Sequence, residues 1–258
     1  MKKLLYYSII AALVSCGKDK TTELTCKLSK SIHITSGYSD TTIYTYSGDD
    51  LIYTVKYSNS STLYTYKYIK SGSQYNYEIY YDAVKKYDGF ARLNAQGKID
   101  TTRVTNLTTT LFNNRNRSYY DIDGKVLRAI SNYNLYENDV KYYYTPDGNY
   151  AYWIYDFYDY RPMPVDTKDS VVFEYYTDKL KKAEKFGFES KFGNLEKNLV
   201  KKRYYYDLFN SGNLRRTYEY EYLTNADGFV TREIWIIKNQ PGDIETRRDT
   251  TYYEYICN

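Results

Sequence analysis

Apolar and polar positions alternate with a period of two along most of the chain. Leu63-Tyr-Thr-Tyr-Lys-Tyr68 places Tyr64, Tyr66 and Tyr68 on one side and Thr65 and Lys67 on the other, and the pattern returns at Tyr53-Thr-Val-Lys-Tyr57, Tyr75-Asn-Tyr77 and Tyr218-Glu-Tyr-Glu-Tyr222. Successive strand residues point to opposite faces, so this spacing predicts strands. Turn signals separate the runs at Ser47 to Asp50, Asn94 to Gly97, Asp121 to Gly124, Pro146 to Gly148, Asn210 to Gly212 and Asn225 to Gly228. Strands spaced at about ten residues and bounded by such Asn/Asp-Gly turns predict hairpins in series.

Together these signals predict an all-β chain: a large, curled antiparallel meander of about fifteen strands, an open or partly closed barrel-like sheet. The expected strands include 41–47, 51–58, 62–69, 74–81, 125–133, 139–145, 150–158, 170–176, 203–209, 213–223, 228–238 and 246–256. Two stretches break the pattern. Leu180, Ala183 and Phe186, and again Leu195 with Leu199, have spacing that suits short helical turns in a connection over 178–202, and Tyr160 to Pro164 reads as a loop because two prolines exclude a central strand.

The first residues do not belong to this pattern. Lys2 and Lys3 precede an apolar run from Leu4 to Val14, which is too short for a mature membrane span and reads as a signal peptide over 1–15. Leu13-Val-Ser-Cys16 resembles the lipobox of bacterial lipoproteins, which implies a lipidated Cys16. Residues 16–25 then form the lipidated cysteine and a polar tether, and 26–258 a single antiparallel β domain. The expected location is the cell envelope, with the chain lipid-anchored, at the outer membrane; the membrane is met through the N-terminal lipid. An ordinary secreted chain is the alternative.

With Cys16 carrying lipid, Cys26 and Cys257 remain, and after export to an oxidising compartment they read as a disulfide, with two free thiols as the alternative. Such a bridge requires the first and last strands to be neighbours. Removal of 1–15 takes two lysines from 36 basic residues against 32 acidic ones, leaving a formal charge of +2. Charge so balanced and so interspersed points away from nucleic acid, and Lys181-Lys-Ala-Glu-Lys185 and Lys201-Lys-Arg203 read as solvated positions.

The 38 tyrosines raise the question of what their face does. Tyrosine joins a large apolar ring to a hydroxyl that wants water or a partner, so it suits the lining of a broad sheet better than a dry two-layer core. One reading is structural, with tyrosine ladders holding a thinly packed sheet together. The other is an aromatic platform for a glycan or an envelope protein. A membrane-spanning barrel also alternates apolar and polar residues, but the charges within Tyr218-Glu-Tyr-Glu-Tyr222, the lipid signal and the expected disulfide weigh against it.

The closing segment TYEYEYLTNADGFVTREIWI (217–236), followed by TTYYEYICN, resembles the C-terminal hairpins of an uncharacterised family of bacterial envelope lipoproteins, a domain of unknown function with a porin-like β fold. Lys197-Asn-Leu-Val-Lys-Lys202 matches a further element of that family, and the hairpins are similar to the tyrosine–aspartate repeats of rearrangement-hotspot proteins. The resemblance implies a curled one-domain antiparallel sheet and brings no catalytic residues with it.

Candidate chemistry is sparse. His33 is the single histidine, in strand-like Ser31-Ile-His-Ile34, with no nucleophile motif beside it, and reads as structural. Asp121-Ile-Asp-Gly124 lacks the later ligands of a calcium loop. No metal, cofactor or catalytic residue is expected. Trp153, Tyr155 and Trp235 are the candidate ligand platform, although aromatics on both faces of 151–158 also fit a buried central strand. Thr41, Thr101, Ser170 and Thr250 each follow an aspartate, in the short acceptor pattern used for O-glycosylation in some envelope proteins. A membrane-anchored binding or structural component, non-enzymatic, is the expected function. The alternative is a polysaccharide-acting hydrolase with a carboxylate pair in a sheet groove.

Overall fold

The computed structural model describes residues 26–48, 50–58, 62–107, 113–133, 135–161, 167–181, 197–209 and 212–257. The signal peptide, Cys16 and the tether fall outside them, as do Pro162, Pro164, Lys182, Ala183, Lys185, Phe186 and Leu195. The described residues form sixteen strands: β1 Cys26–Thr35, β2 Tyr38–Ser47, β3 Asp50–Ser58, β4 Thr62–Ser71, β5 Gln74–Tyr81, β6 Val84–Leu93, β7 Ile99–Asn106 and β8 Asn113–Tyr120. These are followed by β9 Val126–Tyr133, β10 Tyr136–Tyr144, β11 Tyr150–Asp159, β12 Thr167–Leu180, β13 Asn198–Asp207, β14 Asn213–Thr224, β15 Val230–Asn239 and β16 Ile244–Cys257.

Each strand pairs antiparallel with the next, and β1 pairs with β16, so the sheet closes into an up-and-down barrel. Closure leaves no edge strand with unpaired backbone groups. The expectation of an open or partly closed sheet of about fifteen strands is thus completed by one strand more and a closed seam. Cys26 lies opposite Cys257 on that seam and the two are joined as a disulfide. At its two described ends the 178–202 stretch is strand where helical turns were expected: Leu180 ends β12 and Leu199 is a buried residue of β13.

Burial separates the two faces of the wall. Along β8, half-buried Asn114, Asn116, Ser118 and Tyr120 alternate with exposed Arg115, Arg117 and Tyr119. In β12, Val171 and Phe173 are buried while Val172 between them is exposed. The more covered face is the lumen. Following the register around the barrel puts Tyr64, Tyr66, Tyr68, Tyr77, Tyr142, Trp153, Tyr205, Tyr218, Tyr220, Trp235, Asp249 and His33 on it.

The lumen explains the choice of tyrosine. Rings pair across strands, as Tyr64 with Tyr81 at 5.0 Å and Tyr68 with Tyr77 at 6.3 Å between centroids, and each such pair contributes roughly 0.2–1 kcal/mol. The phenol then reaches a backbone carbonyl that leucine could not satisfy. Tyr120 donates to the carbonyl of Ile99 (2.5 Å), Tyr144 to that of Val126 (2.8 Å) and Tyr255 to that of Val230 (2.7 Å). Tyr77 reaches over an intervening strand to the carbonyl of Arg103 (2.9 Å). Of the repeats quoted above, Tyr53 and Tyr57 differ: they point outward, 37% and 41% exposed.

One end of the barrel is built from a repeated hairpin. The turns Asn94–Lys98, Asp121–Lys125, Thr145–Asn149 and Asn225–Phe229 each close with the first residue's N–H donating to the last residue's carbonyl, and each is followed by a one-residue register shift. Such bulges bend a strand and increase its twist, which a closing sheet needs. Gly97, Gly124, Gly148 and Gly228 supply the left-handed residue in all four, with φ between 72° and 90°.

The outward face is charged around nearly the whole circumference. Lys67, Glu78, Asp88, Arg103, Arg117, Arg128, Asp139, Lys141, Asp156, Glu174, Lys202, Glu219, Lys238, Arg248 and Lys30 all point away from the lumen, and β2 and β3 are the exceptions. Several pair with one another, as Arg128 with Asp139 (2.7 Å), Lys202 with Glu219 (2.8 Å) and Lys85 with Glu78 (2.9 Å). A barrel facing lipid shows an apolar band there, and a charge at bilayer depth costs about 2–4 kcal/mol. This wall suits water.

Candidate functional site in the lumen

The expected platform is partly assembled. Strand register stacks two rows of side chains across β10 to β13: Tyr142, Trp153, Val171 and Tyr205 in one, and Val140, Tyr155, Asp169 and Asp207 in the next. All of these except Asp207 line a cavity of about 360 Å³. The indole of Trp153 meets Tyr142 edge-on at 5.7 Å and Phe173 at 4.7 Å, arrangements that suit the ring quadrupoles. On the outward face of β11, Tyr152 and Tyr158 are 37% and 39% exposed while Asp156, beside Lys168, is buried, and the strand is part of a single closed wall with no second layer over it.

Trp235 occupies a separate cavity of about 220 Å³ with Arg203, Tyr220, Glu233, Thr251 and Tyr253. Arg203 joins the two. Its guanidinium carbon lies 5.9, 5.4 and 5.1 Å from the ring centroids of Trp153, Phe173 and Tyr220. The expectation that the Lys201–Arg203 run is solvated therefore fails for Arg203, because the β12–β13 register sets it opposite lumenal Phe173. Tyr253 donates to Glu233 at 2.8 Å.

His33 is tied into the lumen wall. Its Nδ1 is 3.0 Å from the Thr251 hydroxyl, Nε2 lies 4.0 Å from Asp249, and the ring packs 5.8 Å from Trp235. Asp249 is buried and its Oδ2 lies 2.8 Å from Arg247. Burial opposes its charge, but hydrogen bonds from Arg247 and Thr35 and the nearby positive groups prevail and hold its carboxyl below the usual range.

Asp169 has the opposite balance. Burial raises its pKa, Arg215 opposes the rise and Asp207 adds to it. Its Oδ1 is buried with no hydrogen-bond partner. Asp207, directly across β13, is held by Arg215 and accepts the N–H of Phe209 at 3.0 Å. Burial likewise raises Tyr155, with Tyr133 and Asp169 adding to it.

Asp169, Tyr142, Tyr205, Arg203 and Glu233 were not singled out from sequence as ligand-facing, since only the register of several hairpins brings them together. The acceptor positions Thr41, Thr101, Ser170 and Thr250 all lie on the outward face of strands. Thr101 is buried and takes a hydrogen bond from Arg92 at 3.2 Å. Among the described residues no cluster of three or more metal-ligating side chains occurs.

An antiparallel barrel of sixteen strands with a polar and aromatic lumen has the fold of porin-like proteins. Two solved structures share it. A porin-like protein from Bacteroides uniformis superposes with a TM-score of 0.62 at 11% identity, over 89% of this chain and 96% of that one. A porin-like protein from Bacteroides vulgatus gives 0.61 at 12% identity, over 89% and 98%. No family model matches the chain, and no curated protein does. The fold implied by the lipoprotein resemblance agrees with these structures.

Proposed function

We propose that this chain is a non-enzymatic component of the cell envelope, tethered through lipid on Cys16, whose barrel stands in water and holds a small ligand in its lumen. The observation that carries the proposal is the cavity in which Trp153 and Tyr155, picked out from sequence, meet Tyr142, Tyr205 and Asp169. Pockets that bind small molecules are mostly apolar, with a few converging polar groups. Charge on the outward wall supports anchoring over spanning, and the described residues enter the barrel at Cys26, ten positions after the anchor site.

The hydrolase reading has one observation in its favour: Asp169 and Asp207 face each other across β12 and β13. A glycosidase needs both carboxyls at the scissile bond. Asp207 is engaged by Arg215 and the β13–β14 turn, which leaves one carboxyl and not two.

The test is a ligand-observed NMR screen of small glycans and small metabolites against the full chain in nonionic detergent, with Trp153→Ala and Trp235→Ala beside it. Saturable binding that disappears in Trp153→Ala is expected. A screen without binders, together with one recurrent protein in envelope pull-downs, would replace the lumen ligand with a role in assembly, and glycan turnover abolished by Asp169→Asn would favour the hydrolase.

A further inference from the structure

We propose that the Trp153 cavity is a site for a small organic cation, an alkylated ammonium group whose substituents contact the rings and whose charge is met by Asp169. The inference rests on the reading of the lumen as a ligand site and names the ligand's chemistry.

Four aromatic side chains, Tyr142, Trp153, Tyr155 and Tyr205, and two valines make up the lining apart from Asp169. Ring faces attract cations, most strongly when the cation is freed of water, and tryptophan is the best of them. The same cluster already holds a cation this way, since Arg203 sits near the ring of Trp153 and over Phe173 and Tyr220.

Asp169 supplies the charge. It is the one carboxylate of the lining, and its Oδ1 is buried without a hydrogen-bond partner. A carboxylate removed from water is unfavourable unless an opposite charge or donors reach it. Arg215 is bonded to Asp207, so the carboxylate that remains available in the cavity is that of Asp169. Burial accordingly pushes Asp169 toward its neutral form, a push that a bound cation would reverse.

The lining also argues against a sugar. A hydroxyl-rich ring needs many partners when it leaves water. Here the polar groups are Asp169, three phenol hydroxyls and the Trp153 indole N–H, whereas a compact ammonium with methyl substituents needs one counter-charge and apolar walls. A volume of about 360 Å³ suits such a group with a short tail.

Choline, tetramethylammonium and the neutral isostere 3,3-dimethylbutanol distinguish the possibilities by calorimetry and tryptophan fluorescence on the full chain. Saturable binding of the two cations is expected, with the isostere at least about 10-fold weaker. Asp169→Asn, with folding checked by near-ultraviolet circular dichroism, is expected to weaken cation binding by a similar factor. An isostere that binds as well as choline would overturn the cation assignment using the unaltered protein alone. Unchanged cation affinity in folded Asp169→Asn would overturn it too, and either result leaves a lumen ligand standing. Absence of any Trp153-dependent binder, cation or neutral, would remove the lumen site itself.

Discussion

Replacing Cys26 and Cys257 together by serine is expected to lower the stability of the barrel by roughly 2–5 kcal/mol. The bridge joins positions separated by 231 residues, and the chain-entropy view gives roughly 5 kcal/mol for a loop of that length, with measured gains commonly smaller. Its place in the fold makes the effect a matter of topology. β1 and β16 lie at opposite ends of the chain, so their pairing closes the longest loop in the barrel, and the bridge sits at the end of that pairing where Cys26 opposes Cys257. Urea unfolding of the oxidised protein and the double-serine variant, followed by tryptophan fluorescence, measures the difference. A loss under about 1 kcal/mol would show that the backbone ladder of the seam closes the barrel unaided.

The second large effect is expected at Gly89 in β6. Tyr77 in β5 lies opposite it, and the ring passes over the glycine so that its hydroxyl reaches the carbonyl of Arg103 in β7, two strands away. A Cβ at position 89 would fall 2.3 Å from the Tyr77 ring and 2.5 Å from the Arg103 carbonyl oxygen. The second of these is backbone within the ladder, so the collision cannot be relieved by turning a side chain. Overpacking of this kind costs about 1–3 kcal/mol, and displacing Tyr77 adds about 1–3 kcal/mol for its lost hydrogen bond. Gly89→Ala should therefore lower stability by roughly 3 kcal/mol, a fall in melting temperature of about 6–12 °C. Tyr77→Ala alone should destabilise as well, through the buried ring. The two changes should be less than additive when combined, since removing the ring removes much of the clash. Full additivity would mean that Tyr77 does not cross over Gly89.

The sequence carried the strand period, the hairpin turns and the paired cysteines because each is local or a matter of counting. Strands β6, β7 and β8 were not placed individually, and β1 only through Ser31 to Ile34; β8 shows why. Its lumenal residues include Asn114, Asn116 and Ser118, and its outward ones are Arg115 and Arg117. Where both the lumen and the exterior accept polar residues, the alternation that marks a strand fades. Leu180 and Leu199 had helical spacing, but pairing in the barrel set their conformation.

Trp153 and Tyr155 could be selected by residue type and share a cavity, while Trp235 lies in the neighbouring one. Asp169 could not be selected as a ligand group. In the linear sequence it is one aspartate before Ser170 in an acceptor-like tripeptide. Its position beside Tyr155 follows only from the β11–β12 register, which depends on a connection containing Arg-Pro-Met-Pro. Arg203 was obscured in the same way, by two lysines before it that pair with Glu174 and Glu219.

With the tyrosine face turned inward and the charged face outward, the proposed lipid anchor would hold the barrel beside a membrane that the wall does not cross. Single cysteines at Lys67→Cys, Lys141→Cys and Lys238→Cys test it on three parts of the wall, in the full lipidated chain reconstituted into liposomes and treated with a bulky hydrophilic maleimide. All three are predicted to react before any detergent is added, while cysteine at lumenal Tyr142 stays protected. If the three outward positions react only after the bilayer is dissolved, the wall lies in lipid and the barrel crosses the membrane.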